Sequence, residues 1–391
     1  MNIHETILHL SLIDGVGPAK IKQICDYKPD AFELTDLYTI SVSDITRLFG
    51  FPYTVADAIV RGLSDRSLLE RELGLIERHQ FSWITNLDES YPPLLKEIHV
   101  PPAILYYRGA PLYDPVVGQT NMIAVVGARK ANQYGQRVIN QIVPELISRH
   151  WTIVSGGAFG IDTMAHKATV EVGGKTIAVL GSGLLCEYPH SNKRLFNEVV
   201  ATGGTVMSAF SLQTEPLPGN FPARNRIIAG LSQGCLVVQA AEKSGARITA
   251  QYALEQGREV FAIPGQFDDE LSAGCHALIQ EGATLATSVH DIFAAFGHQQ
   301  VKETVDEHLD QQLVLPGMSK KSQEKSVEPA HHYDKNSPEW MILQALFRPQ
   351  TVDDLMTITQ LGLFEMNAKL FELQLAGAVS QNFTGQWERK I

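Results

Sequence analysis

The segment 221–232, with the sequence FPARNRIIAGLS, places Arg224 and Arg226 on either side of Asn225 at the start of an otherwise apolar helical pattern. A guanidinium is always charged, and its planar set of N–H donors matches the oxygens of a phosphate. The N-terminus of a helix adds unpaired backbone N–H groups that attract the same anions. The segment therefore indicates a phosphate clamp, although two surface ion pairs would use arginine in the same way.

Four turns in the same part of the chain combine glycine, serine or cationic residues after an apolar run. In the first turn Arg129 follows Gly127, a residue that lets a ligand approach the backbone. The second turn, 155–160 with the sequence SGGAFG, precedes a helical pattern and resembles the dinucleotide-binding fingerprint with serine in place of the first glycine. Its Phe159 has two interpretations, a core residue or an aromatic surface on which a nucleic acid base stacks.

The third and fourth turns add cations at the starts of two further helical patterns. Asn192 and Lys193 follow the sequence GSG at 181–183, and Lys243 precedes Ser244 and Gly245. Each turn alone is a weak signal, but their convergence on one edge of a sheet favours a shared anionic ligand. The predicted binding residues are Gly127, Arg129, Ser155, Gly156, Gly157, Phe159, Gly160, Asn192, Lys193, Arg224, Asn225, Arg226, Lys243, Ser244 and Gly245.

The elements that must position these residues alternate between apolar runs and helical patterns. The apolar runs indicate buried strands, and the patterns between them have the length of crossover helices. This alternation predicts an α/β fold with an extended Rossmann-like parallel sheet, in which ligands bind beyond the carboxyl ends of the strands. The predicted strands are 123–127, 152–155, 176–181, 205–208, 235–239 and 260–263, and the predicted helices include 132–150, 161–172, 192–201 and 246–256.

The charge of the chain is distributed unevenly. The whole sequence of 391 residues has a net charge of −11, whereas residues 121–265 contain 13 Lys and Arg against 9 Asp and Glu, a net charge of +4. The remaining residues contain 19 Lys and Arg against 34 Asp and Glu, a net charge of −15. A basic sheet region in an acidic chain predicts a local anionic ligand, with the rest of the surface kept from non-specific contact.

The order of these motifs resembles that of the DNA-processing protein A family, known as DprA or Smf. The resemblance depends on seven segments that follow one another along the predicted sheet region in the family's order. They are VVGARKANQYG from Val125, SGGAFGIDTMAH from Ser155, AVLGSGL from Ala178, YPHSNKRL from Tyr188, FPARNRIIAGLS from Phe221, KSGARITAQYALEQGREVFAIPG from Lys243 and GCHALIQEGA from Gly274.

This resemblance implies a homodimeric protein that has no enzymatic activity and no cofactor. Members of the family bind single-stranded DNA and help to load a RecA-type recombinase during natural transformation. Arg129 and Lys193 fall at positions where the family's motifs place cations that contact DNA, and the turn 155–160 falls on its phosphate-binding turn. Binding of a single strand requires a positive groove along the backbone and surfaces on which unstacked bases rest.

The alternative function is a nucleotide-binding hydrolase on the same fold, of the lysine-decarboxylase-like (phosphoribohydrolase) group. Such an enzyme needs a carboxylate that acts as acid or base beside the phosphate loop. Asp162, Glu187 and Glu242 are the carboxylates near the predicted strand ends, and none has the glycine-rich setting of that group. Asp162 is interpreted as a structural group that holds the turn 155–160, and no catalytic residue is predicted.

A metal site is not predicted either. Asp162 and His166 are four residues apart on a predicted helix, but no third ligand has a suitable spacing. The four cysteines are scattered without a short-spaced pair, which argues against metal binding and against a disulfide framework.

The chain is predicted to contain three further regions around the sheet region, which spans residues 65–297. Residues 1–64 indicate a small helical, SAM-like domain, in which the sequence GVGPAKI from Gly15 is either a helix-hairpin-helix turn that holds DNA phosphates or a plain turn between helices. Residues 298–336 are too polar to bury a core, which predicts a flexible linker. Residues 337–391 resemble a winged-helix domain that contacts either DNA or protein.

The sequence contains no pattern typical of a membrane or secreted protein. Its N-terminus lacks the basic and apolar regions of a signal peptide, and no apolar run approaches the ~18 residues that a membrane span requires. We therefore expect a cytoplasmic protein that does not contact the membrane.

Overall fold

The computed structural model describes residues 2–27, 32–116, 118, 121–297, 337–346, 350–359, 361–375, 378–381 and 386–389. The chain divides into two compact units, Met1–Lys302 and Glu303–Ile391. The segment 298–336, which is predicted to be a flexible linker, lies outside the described residues.

The described part of the first unit contains one nine-stranded sheet. Its strands are β1 (Ser82–Thr85), β2 (Ile104–Gly109), β3 (Met122–Val126), β4 (Thr152–Ser155), β5 (Thr176–Leu180), β6 (Thr205–Ser208), β7 (Gly234–Val237), β8 (Glu259–Ala262) and β9 (Thr284–Leu285). Their order is β1-β2-β6-β5-β4-β3-β7-β8-β9. The pairs from β6 to β9 are parallel, whereas β2 pairs antiparallel with both β6 and β1.

The predicted α/β fold with a large, mostly parallel sheet is confirmed. All six predicted strands are present, and β1, β2 and β9 extend the sheet at its two edges. In β3, Ile123 and Val125 belong to the core on one face, and Ala124 and Val126 belong to the core on the other. Successive side chains of a strand point to opposite faces, so a strand that is covered on both faces is apolar throughout.

Helices cover both faces of this sheet. Those of the first unit are α1 (Ile3–Ser11), α2 (Pro18–Asp26), α3 (Val42–Phe49), α4 (Tyr53–Ser64), α5 (Ser67–His79), α6 (Pro93–Lys96), α7 (Gln133–Ser148), α8 (Ile161–Glu171), α9 (Lys193–Ala201), α10 (Asn220–Leu231), α11 (Gly245–Glu255), α12 (Glu270–Gln280) and α13 (Val289–Ala295). Helices α10, α11 and α12 pack on one face, and α7, α8 and α13 pack on the other. Across the described ranges, no helix combines the length and hydropathy needed to cross a lipid bilayer.

The N-terminal helices share a hydrophobic core with part of the sheet. This core joins Ile7 and Leu10 of α1 to Tyr106 of β2, Leu180 of β5 and Phe196 of α9. The domain boundary predicted between residues 64 and 65 therefore falls inside one compact unit. The division into two domains at this point stays a prediction.

The second unit is described in part. Helices α14 (Pro338–Ala345), α15 (Val352–Thr359) and α16 (Leu363–Leu375) precede the strands β10 (Val379–Gln381) and β11 (Trp387–Arg389), which pair antiparallel. Ile342, Leu355, Leu370 and Trp387 form part of its own core. Residues 382–385, between these two strands, lie outside the described residues, and the winged-helix assignment stays a prediction.

Candidate functional site

A cavity of about 620 Å³ lies at the carboxyl ends of the parallel strands. The turn after β3, the first half of α10 and the start of α11 supply most of its walls. Strand β3 lies between β4 and β7, and the chain continues from it first to one side of the sheet and later to the other. This position is the topological switch point, where parallel α/β sheets bind their ligands.

The bottom of this cavity is formed by a buried guanidinium. Arg224 is only 3% exposed, and its Nη1 donates hydrogen bonds to the carbonyl oxygens of Gly156 and Val179. Burial lowers the pKa of Arg224 to about 10, so the side chain is still charged near neutral pH. The charge of Arg224 is therefore used to fix the turn after β4 against β5.

Asp162 lies beside Arg224 at the start of α8. Its Oδ2 accepts hydrogen bonds from the backbone N–H groups of Gly156, at 3.1 Å, and Ala158, at 3.3 Å. Burial raises the pKa of the Asp162 carboxyl, and the positive charge of Arg224 opposes that shift. The interpretation of Asp162 as a group that holds the turn 155–160 is confirmed by these two bonds.

Two further buried side chains fix the same turn. Ser155 Oγ donates to the Val125 carbonyl at 2.7 Å, and Asn192 Nδ2 donates to the Gly157 carbonyl at 2.9 Å. Asn192 Nδ2 also donates to Thr163 Oγ1 at 2.7 Å, and Arg224 Nε donates to Asn225 Oδ1 at 3.2 Å, so these side chains bond to other groups of the protein. Ser155, Asp162, Asn192 and Arg224 are therefore named the floor of the site.

Gly160 allows the turns after β3 and β4 to approach closely. Its φ of +77° lies in the left-handed region, and a Cβ at this position would be 2.1 Å from the carbonyl oxygen of Ala128. Any other residue would be strained and would push the two turns apart.

Exposed cations surround the floor. Arg129 and Lys130 line the cavity, Lys243 precedes two lining residues, and Lys193 begins α9 directly after Asn192. All four are exposed, and with the described residues their side chains form no hydrogen bond or ion pair within the usual distances. Arg129, Lys130, Lys193 and Lys243 are named the rim of the site.

Phe221 connects the rim to the floor. The guanidinium carbon of Arg129 lies 5.3 Å from the centroid of its ring, and that of Arg224 lies 6.0 Å away. Both distances fall within the range of a cation–π interaction. The ring therefore separates an exposed guanidinium from a buried one.

The structure does not bring Arg226 into the cavity. Helix α10 begins at Asn220, so both arginines of the predicted clamp lie beyond its first turn. Two residues correspond to about 200° of rotation around a helix, which directs Arg226 away from Arg224. Its Nη1 donates to the Val100 carbonyl, and its side chain lines another cavity beside the turn at Gly17. The two arginines thus do not form a single clamp.

The remaining predicted residues lie at the cavity or next to it. Asn225, Ser244 and Gly245 line it, and Asn225 Nδ2 donates to the Gly245 carbonyl at 3.4 Å. Phe159 is 47% exposed at the tip of its turn, which excludes a core position. Gly127 lines the wall, whereas Gly156 and Gly157 lie within the turn that the floor holds.

Among the lining residues that sequence reasoning missed, one is a cation and one is an aromatic residue. Lys130 directly follows Arg129, and Phe221 precedes Arg224 by three residues. Residues three apart on a helix lie on the same face, so this spacing was the available signal for Phe221.

Two of the three carboxylates that the enzymatic alternative could use already have partners. Both Asp162 hydrogen bonds are made by Oδ2, and Glu187 Oε1 pairs with the Arg108 guanidinium at 2.7 Å. Glu242 is exposed on the turn before α11. Within the described ranges, no three His, Cys, Asp or Glu side chains are grouped so as to hold a metal ion.

Comparison with known proteins identifies the family. A family model described as DNA recombination-mediator protein A matches residues 82–297, which is more than half of the chain. The chain belongs to this family. All the predicted binding residues of this DprA-family chain fall within the matched range.

Individual DprA and Smf proteins are similar to this chain over different lengths. The chain is 33% identical to the protein Smf of Synechocystis over 97% of both chains. An X-ray structure of DNA processing protein A from Streptococcus pneumoniae also matches, with a TM-score of 0.63 and a sequence identity of 36%. That match covers 75% of this chain and 98% of the Streptococcus pneumoniae chain. The Helicobacter pylori protein, described by its single-stranded DNA binding mode, is 27% identical with a TM-score of 0.49 over 56% of this chain and 95% of that one.

Proposed function

We propose that this protein binds single-stranded DNA through the cavity at the topological switch point. The observation that carries the proposal is the rim, whose four cations have no counter-ions among the described residues. Arg129 and Lys130 line the cavity, and Lys193 and Lys243 directly follow or precede a residue of its floor or wall. Cations that are already exposed and unpaired contact phosphates without first breaking an ion pair. Their spread over three turns, after β3, before α9 and before α11, matches several phosphates of a polymer better than the single phosphate of a mononucleotide.

The floor supports a binding function over a hydrolytic one. Asp162, the carboxylate among the residues that line the cavity, already accepts two backbone N–H groups through its Oδ2, which is 3.1 and 3.3 Å from those nitrogens. A general acid or base needs to reach the proton that it transfers. We therefore propose a protein that binds its ligand without catalysis and without a cofactor.

The wider role follows from the family. DNA recombination-mediator proteins share the matched region 82–297, which contains the rim and the floor. We propose that the protein protects incoming single strands and loads a RecA-type recombinase during natural transformation. We further propose that it acts in the cytoplasm as a homodimer. The nucleotide-binding hydrolase is the competing function that the following experiment must exclude.

The test is the fluorescence anisotropy of a labelled oligothymidylate at two salt concentrations, with duplex DNA and nucleoside monophosphates as competitors. We expect tight, salt-sensitive binding that duplex and mononucleotide displace poorly, and a loss of about tenfold in affinity for Arg129→Ala. Absence of polymer binding, with turnover or binding of a mononucleotide instead, would support the hydrolase.

Arg149→Ala is the matched control. Arg149 is also an exposed arginine over an aromatic ring, at 4.8 Å from the centroid of Phe293. Arg149 lies directly after α7 and three residues before β4, so it is at the amino ends of the parallel strands, whereas the cavity is at their carboxyl ends. We expect this variant to bind as the wild type does. An equal loss in both variants would refute the assignment of the rim.

A further inference from the structure

Two aromatic side chains that the rim and the floor do not include lie together at the site. The rings of Tyr188, in the loop after β5, and Phe221, in the first turn of α10, have centroids 6.0 Å apart and are inclined by 55°. His190 adds an edge contact to Tyr188, with centroids 6.4 Å apart. Tyr188 is 37% exposed, so this pair continues from the cavity wall to the surface.

The Phe221 ring is held in place from below. A Cβ at position 181 would lie 2.8 Å from its Cδ1, so the ring packs directly on the backbone of Gly181. Arg224 fixes it from the floor, and Arg129 approaches it from the rim. The ring is thereby positioned in advance, and a ligand would not have to order it.

The Arg129 guanidinium can serve two ligand groups at once. A guanidinium that stacks on a ring keeps its N–H groups, which lie in its own plane, free to donate to a phosphate. An aromatic surface beside that phosphate contact is where an unstacked base of the same strand would lie. Phe159 is less suitable for this role, because its ring makes no aromatic contact with the other described residues.

We propose that Tyr188 and Phe221 form a base-stacking platform for single-stranded DNA next to the phosphate contact of Arg129. This proposal rests on the proposed function and deepens it, because it makes unpaired bases part of what the site recognises. Every base has a stacking face, so the platform selects single strands over duplex without selecting a sequence. The duplex keeps its bases stacked inside the helix and cannot use the platform.

The test compares an oligothymidylate with an abasic oligomer of the same length, which has the same phosphates and no bases. We expect wild-type protein to bind the base-bearing strand about tenfold more tightly, the ratio that stacking of one base produces. Tyr188→Leu should remove most of that preference and leave the affinity for the abasic strand unchanged. Arg129→Ala should weaken binding of both strands.

Three further variants make the result decisive. Tyr188→Phe keeps the ring and should bind as the wild type does, and Tyr53→Leu, at a tyrosine that is 69% exposed on α4, controls for loss of a surface aromatic. Phe221→Leu tests the second ring, and Tyr188→Leu carries the test alone if that variant fails to fold. Equal wild-type affinity for the two strands would overturn the platform but not the proposed function, whereas absence of binding to either strand would overturn both.

Discussion

Arg224 and Arg129 approach the Phe221 ring at 6.0 and 5.3 Å, yet one guanidinium is buried and the other is exposed. The buried side chain donates hydrogen bonds to two backbone carbonyls and to Asn225 Oδ1, all within the protein. The exposed one forms no hydrogen bond or ion pair with any other described residue. The same residue type thus has two uses within one site.

This difference separates the groups that shape the site from those that are free to contact a ligand. Desolvation of a charge is costly, so a buried arginine stabilises the fold only while its hydrogen bonds and its neighbouring carboxylate are intact. An exposed, unpaired cation contributes little to folding but keeps its donors available. Variants of the floor should therefore change the free energy of unfolding, and variants of the rim should change the affinity for the ligand.

The largest effect is expected from Arg224→Met. This change removes the hydrogen bonds to Gly156 and Val179 and the positive charge beside buried Asp162, and we expect it to lower the free energy of unfolding by about 3–5 kcal/mol. Urea denaturation followed by circular dichroism measures the loss. Arg129→Met is the matched control and should change stability by less than about 0.5 kcal/mol. Equal losses in the two variants would eliminate the distinction between floor and rim.

A second, smaller effect concerns His166, one turn after Asp162 in α8. Burial lowers the pKa of His166 to about 3, with a smaller contribution from the charge of Arg224. The unfolded chain takes up this proton below pH 6.5 and the folded chain does not, so stability falls as the pH falls from 6.5 towards 3. The loss between pH 6.5 and 5 should be about 2 kcal/mol.

Denaturation of His166→Gln at pH 7 and at pH 5 measures that contribution. The difference in unfolding free energy between the two pH values should shrink by about 2 kcal/mol relative to the wild type. An unchanged pH dependence in His166→Gln would show that His166 does not titrate as its burial requires.

The smallest effects compare Lys193→Ala with Arg226→Ala. We expect Lys193→Ala to weaken single-strand binding by a few fold and to reduce the log–log salt slope by about 0.7, the value for one phosphate contact. Arg226→Ala should cost about 1 kcal/mol of stability through its bond to the Val100 carbonyl and should leave binding unchanged. Lys175→Ala is the lysine control, because Lys175 directly precedes β5 and so lies at the amino ends of the parallel strands, away from the cavity. Loss of binding in Arg226→Ala would contradict this expectation and would support the predicted clamp, in which Arg224 and Arg226 hold the same ligand.

The parts of the fold that depend on local pattern were predictable from the sequence. Continuous apolar runs separated by helical patterns indicate a parallel sheet, and the rule for carboxyl strand ends then locates the turns at Arg129 and at 155–160. The edge strands were missed because β1 is partly exposed and β9 has only two residues. Neither strand has the apolar run that indicates a buried one.

The sequence could not predict which of these arginine side chains is buried in the folded protein and which way each one points. Arg224 is buried because the carbonyls of Gly156 and Val179, about 70 and 45 residues earlier, come within reach of its guanidinium only in the folded sheet. Arg226 is directed elsewhere by the rotation of α10, whose start the sequence pattern placed too close to the arginines. Residue type and spacing thus located the cavity, and three-dimensional contacts decided which cations are exposed beside it.

The shared core of α1 and the sheet has a practical consequence for anyone who shortens the chain. A fragment that begins at residue 65 would lose Ile7 and Leu10 and would expose part of the core that they share with Tyr106, Leu180 and Phe196. Apolar patches of this kind cause proteins to associate. We expect such a fragment to aggregate even though it retains the whole rim and floor, because the N-terminal helices complete the core on that face of the sheet.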